Sequence, residues 1–119
     1  MHALIIEQDA WVILMIEDVL RGLGYTSFDS ASSGEAAVAA AKLRCPDLIT
    51  SDIRLDPGTD VEAIRKLCSA KAIPVVFVTA MPWEVREIDS EAVIVAKPFG
   101  QDTLIEGVAR ATAAPAGQA

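Results

Sequence analysis

The sequence predicts a doubly wound α/β domain built on a five-stranded parallel sheet, and three observations lead there. Short continuous apolar runs alternate with stretches of helical period, the pattern of strands covered on both faces and joined by crossover helices. Four of those runs each end on a polar residue: Ala3–Ile6 on Glu7, Leu48–Ser51 on Asp52, Val75–Val78 on Thr79 and Val93–Ala96 on Lys97. Turn and cap residues punctuate the alternation where each strand should hand over to a helix. In neighbouring parallel strands the four polar groups emerge at one edge, and the carboxyl edge is where open α/β sheets bind ligands.

The elements follow in order. Ala3–Ile6 is the first strand, and Asp9 is placed to cap the helix after it. There Val12, Ile16, Val19, Leu20 and Leu23 form one apolar face, and Gly22 and Gly24 mark the end. Tyr25–Phe28 reads as a weak strand, and Ser32–Ser33 open an alanine-rich helix that must close before Pro46. Asp47–Asp52 is the third strand, followed by an Asp56-Pro57-Gly58 turn signature. Asp60–Ala70 reads as a helix with Val61, Ile64 and Leu67 inward, and Pro74 precedes the strand Val75–Thr79. Pro82–Ile88 is at most a short helix, Ala92–Ala96 the last strand, Lys97-Pro98 a turn and Gln101–Ala111 the closing helix. Right-handed crossovers give the flavodoxin-like strand order 2-1-3-4-5. Residues 1–112 form one domain, and Ala113–Ala119 is expected to be a frayed tail or linker stub.

Composition excludes several classes. A chain of 119 residues that is 52% hydrophobic has enough apolar surface for a core. No apolar stretch approaches the ~20 residues of a membrane span, and the N-terminus lacks the pattern of a signal peptide. A formal net charge of −7 disfavours nucleic acid and anionic membranes as partners. Cys45 and Cys68 form no CxxC motif, and with His2 as the only histidine a zinc site is not expected. The two cysteines could form one disulfide, but a reduced pair on or beside helices in a cytoplasmic protein is the expectation, and His2 is expected to be inert.

The gathered polar groups suggest phosphoryl chemistry. A carboxylate is a poor nucleophile towards phosphorus unless the phosphoryl charge is neutralised, and Mg²⁺ does this from one or two carboxylates plus water and phosphoryl oxygens. Asp52 and Glu7 on adjacent strands supply such a pair, Lys97 is a point charge for a phosphoryl oxygen, and Thr79 is a hydroxyl donor for another. A cis Lys97-Pro98 peptide would re-aim that lysine. Each of these residues has an ordinary explanation on its own. Their placement on the ends of four strands does not. Trp11 and Trp83 read as packing or partner-contact residues. The Ile13-Leu14-Met15 cluster, partly exposed, hints at a docking or dimer surface.

At these positions the chain resembles the response-regulator receiver domain of two-component signalling. The resemblance lies in Leu4–Asp9 (Leu-Ile-Ile-Glu-Gln-Asp), Pro46–Leu55, Pro74–Ala80, Ala96–Phe99 and the turn Ala31–Ala36, and it covers about residues 3–112. It implies that Asp52 accepts a phosphoryl group from a histidine kinase or phosphotransfer protein. It also implies that Glu7, Asp52 and the backbone carbonyl of Arg54 ligate Mg²⁺, with Thr79 and Lys97 as the switch hydroxyl and switch lysine. Three positions depart from the family pattern. The second acid of the usual pair is Gln8, which removes one negative charge and should weaken Mg²⁺ binding. Ile94 stands where the switch aromatic is expected. The segment from Thr79 to Lys97 spans 97 − 79 = 18 positions, which implies a shortened fourth helix, as in a subset of receivers.

Two functions from different classes compete. The first is a phosphorylatable receiver that signals by conformational change, with no enzymatic role beyond the self-phosphotransfer and slow self-dephosphorylation of the family. The second is a phosphorylation-independent pseudo-receiver acting as a protein-binding module, favoured by Gln8. A small flavin or nucleotide binder is disfavoured, because no glycine-rich loop follows the first strand.

Overall fold

The structure, a computed structural model, describes residues 1–52, 61–68 and 72–113. The predicted Asp56-Pro57-Gly58 turn, Arg54, the outer residues of the predicted third helix and most of the tail lie outside them. The strands are β1 (His2–Ile6), β2 (Ser27–Ala31), β3 (Leu48–Ser51), β4 (Val75–Thr79) and β5 (Val93–Ala96). The helices are α1 (Ala10–Gly22), α2 (Gly34–Leu43), α3 (Val61–Leu67), α4 (Pro82–Ile88) and α5 (Gln101–Thr112). All strand pairs are parallel and the order is β2-β1-β3-β4-β5, as predicted.

The alternation of side chains along each strand divides the interior into two layers. Ala3, Ile5, Leu48, Val76, Val78 and Val95 face one side, where Ile16, Val19 and Leu20 of α1 and Leu104 and Val108 of α5 cover them. Leu4, Ile6, Ile49 and Val75 face the other, under Ala37 and Ala41 of α2 and Ile64 of α3. The small alanines let α2 lie close to the sheet. Gly107 does the same for α5, since a Cβ there would sit 2.6 Å from Val95 Cγ2.

The helix ends follow the caps read from sequence. Asp9 accepts from the Trp11 N–H at 2.9 Å and Ser33 from the Ala36 N–H at 3.1 Å. Beyond α1, Gly24 takes φ +101°, a conformation that other residues rarely adopt. The fourth helix is short, seven residues, as the sequence implied.

Several expectations are corrected. The second strand is Ser27–Ala31 and not Tyr25–Phe28. Tyr25 instead packs in the core beneath α1, its N–H bonded to the Leu20 carbonyl at 3.0 Å, while pairing with β1 imposes strand on a polar edge segment. Leu23 and Leu67, expected inward, are exposed. Cys45 and Cys68, expected to be reduced, form a disulfide. α2 and α3 are neighbours on one face of the sheet, which brings the two Cα atoms to 5.9 Å, within bridging range. His2 is not inert in structural terms: it is buried, with Nδ1 2.7 Å from Ser27 Oγ and Nε2 3.0 Å from Asp29 Oδ2. No helix among the described residues is long and apolar enough to cross a membrane.

Candidate functional site

Strand register sets the site. Ile6 is level with Ser51, so Glu7 and Asp52 follow as a matched pair at the carboxyl edge. The Asp52 N–H donates to the Ile6 carbonyl at 3.0 Å, which continues the ladder past the last strand residue. On the far side, Thr79 is level with Ala96 and the Lys97 N–H donates to the Thr79 carbonyl at 2.8 Å. Parity decides which side chains meet. Glu7, Asp52 and Lys97 each continue the rows of Ile5, Thr50 and Val95, on one face of the sheet. Thr79 continues the row of Val75 and Phe77, on the other.

Lys97 Nζ lies 2.7 Å from Glu7 Oε1 and 3.1 Å from Asp52 Oδ2. One ammonium therefore joins two carboxylates from the two central strands. Glu7 is 3% exposed, and its Oε2 also accepts the N–H groups of Gln8 and Asp9 at 3.0 Å each. A charged group this deep needs partners, and these three bonds, one of them to an ammonium, supply them. Glu7 thereby shapes the turn from β1 into α1 as well as the site. Partial burial works to lower the Lys97 pKa, yet the hydrogen bonds and charges of Glu7 and Asp52 outweigh it and leave the pKa above 10.5. Lys97 is a fixed cation at neutral pH.

Of the residues singled out from sequence, Glu7, Asp52 and Lys97 are brought together. Thr79 is fully buried at the adjacent strand end, where its Oγ1 accepts the Met81 N–H at 3.0 Å. Gln8 is exposed and takes part through its backbone N–H. Arg54 lies outside the described residues. The Lys97-Pro98 peptide is cis. The pairing of Lys97 with Glu7 was not legible, because a lysine 90 positions away gives no sequence signal of its partner. Nor was the Glu7 bonding to two amides, although a carboxylate at a strand-to-helix turn is a suitable acceptor for them.

The two carboxylates suit a hard cation, and an ammonium already stands between them. Among the described residues no group of three or more His, Cys, Asp or Glu side chains is placed to hold a metal. The donor set is therefore two carboxylates of low total charge, the kind that holds Mg²⁺ with water and phosphoryl oxygens completing the shell.

Comparison with known proteins places the fold that carries this site in a family. Residues 3–109 match the response regulator receiver domain. The chain is 29% identical over 112 residues to the transcriptional regulatory protein PdtaR of Mycobacterium tuberculosis, covering 90% of this chain and 54% of that protein. It is 33% identical over 100 residues to the phyllosphere-induced regulator PhyR of Methylorubrum extorquens, covering 81% of this chain and 38% of that protein. The chain thus spans about half or less of these two relatives. The solution structure of the receiver domain of Erythrobacter litoralis PhyR superimposes with a TM-score of 0.77 at 27% identity, over 97% of this chain and 95% of that one. With nearly its whole length matched, its strand order that of the flavodoxin-like receivers and its charged residues at the carboxyl edge, the chain belongs to the response regulator receiver domain family.

Proposed function

We propose that this receiver domain accepts a phosphoryl group on Asp52 from a histidine kinase or phosphotransfer protein, and signals through the resulting change at its carboxyl edge. The observation that carries this reading is Lys97 Nζ bridging Asp52 and the buried Glu7. In the transfer, an Asp52 carboxylate oxygen forms the new O–P bond as the donor's N–P bond breaks, and the donor imidazole keeps the electron pair. Lys97 then has a phosphoryl oxygen to bind in place of the carboxylate oxygen, while Glu7 holds the base of its ammonium. Thr79 supplies a hydroxyl one strand away, and its recruitment would pull on Met81 at the start of α4, through the bond its Oγ1 accepts.

Receiver domains bind Mg²⁺ in general. Here Glu7 and Asp52 would hold it, with the Arg54 carbonyl and the Gln8 amide oxygen as further donors, and the ion would neutralise charge on the incoming phosphoryl group. Gln8 in place of an acid makes this site weaker by one charge. That feature favours the second reading, a phosphorylation-independent binding module that has kept Asp52. The charge of −7 and the lack of a membrane-length apolar helix among the described residues suit a protein partner in the cytoplasm.

Intact mass after incubation with acetyl phosphate, with and without Mg²⁺, separates the two. A single phosphoryl adduct that requires Mg²⁺ and is lost in Asp52→Asn supports phosphoryl acceptance. No adduct on the wild type, with one appearing on Gln8→Asp, supports the binding module.

A further inference from the structure

Cys45 lies on the surface just past α2, between the exposed Arg44 and the buried Pro46. Cys68 is buried at the end of α3, its N–H on the Ile64 carbonyl at 2.9 Å. The ring that their disulfide closes spans a separation of 23 residues and contains β3, Asp52 and α3. α3 has seven residues, far below the ~12–15 at which an isolated helix becomes even marginal in water. Among the described residues its fully buried side chains are Ile64 and, just past its end, Cys68. Ile64 and the half-buried Val61 are thus supplemented by a bond that a thiol can open, and one of its two cysteines lies at the surface.

We propose that the Cys45–Cys68 disulfide is a reducible clamp on α3, and that opening it changes how readily Asp52 accepts a phosphoryl group. The second half rests on the phosphoacceptor reading above. Opening requires a dithiol reductant. Its first thiolate attacks Cys45 Sγ, the S–S bond breaks, and Cys68 leaves as a thiolate and takes up a proton. The second thiolate of the reductant then displaces Cys45, which is protonated in turn. The protein gains two electrons and two protons, and the reductant becomes a disulfide. A small-molecule disulfide oxidant reverses the sequence. Among the described residues, released α3 keeps the buried Ile64 and the half-buried Val61 against the core, and the chain from Asp52 onward loses its covalent closure onto the start of β3. Asp52 and α3 lie in the one ring that the disulfide closes, so opening the bond bears on both.

The test uses the full chain, oxidised and after dithiothreitol without denaturant, with a Cys45→Ser/Cys68→Ser variant as a permanently open form. The expected result is two alkylatable thiols in the native reduced protein and amide exchange in residues 61–68 at least ~10-fold faster, with β1 protection unchanged. The initial rate of acetyl phosphate adduct formation should differ about fivefold between oxidised and reduced protein, with the double variant matching the reduced form. A disulfide that opens only in denaturant, or α3 exchange that is unchanged on opening, overturns the clamp. Equal adduct rates with altered exchange overturn its link to Asp52 and leave the phosphoacceptor reading standing. No adduct in either state overturns that reading and the link together, and the exchange result then decides the clamp alone.

Discussion

Lys97 reaches two carboxylates because of where β5 stops. By register Asp52 is level with Val78 and so with Val95, which leaves Lys97 two residues further along, roughly 6–7 Å at the rise of a strand. A four-carbon side chain bridges that offset. Lys97→Ala should therefore remove the ammonium that the buried Glu7 carboxylate and the Asp52 carboxylate share, destabilising the fold by about 2 kcal/mol in urea titrations. Adding Asp52→Asn to that variant should recover part of the loss. The orphaned group in the core has the opposite sign. Thr50 is 1% exposed and its Oγ1 has no hydrogen-bond partner among the described residues, so Thr50→Val should raise stability by about 1 kcal/mol on the same assay. Two residues set the alkaline limit. Burial, with the nearby Asp47 charge adding to it, raises the Tyr25 pKa above 10.0, and Lys97 also sits above its usual value. A raised pKa means stability that is fully present below the unfolded value and lost as pH rises through the folded one. Stability should thus hold through the neutral range and fall above about pH 10, less steeply in Tyr25→Phe.

At the scale of elements, close packing sets what a substitution can do. Alanine is favoured over glycine in a helix by about 1 kcal/mol, yet Gly107→Ala should destabilise by about 1–3 kcal/mol, because its Cβ meets Val95. Val95→Ala in the same chain should make room and recover part of it, as thermal melts would show. Strands and helices with a strong apolar period were legible in the sequence: β1, β3, β4, β5, α1 and the short α4 lie where their patterns put them, with ends moved by a residue or two. β2 was not legible, since Ser-Phe-Asp-Ser-Ala carries no strand signal and is held by its pairing with β1. The disulfide was equally hidden. Which helices become neighbours follows from the winding of the chain and not from a cysteine spacing.

Across the whole molecule, covalent closure and burial divide the stability between them. The 23-residue separation of Cys45 and Cys68 corresponds to about 3 kcal/mol of lost unfolded-chain entropy, so reduction should lower the urea midpoint without changing the strand order. Of the candidate site, the members were legible because parallel strands deliver their last residues to one edge. The partnerships were not. Parity and register sent Lys97 to Glu7 and Asp52 and set Thr79 on the opposite row, and neither can be counted before the strands are aligned.

Both tryptophans of the chain sit just beyond that edge. Trp11 is in the first turn of α1, four residues past Glu7, and Trp83 is in the first turn of α4, four past Thr79. They are 75% and 59% exposed. At that exposure their emission should lie close to that of indole in water, so unfolding the core should give little spectral change and a melt followed by tryptophan fluorescence should under-report it. The same exposure makes them natural optical probes of whatever occupies the carboxyl edge: a bound partner or a rearranged α4 would move the emission while the fold stays intact.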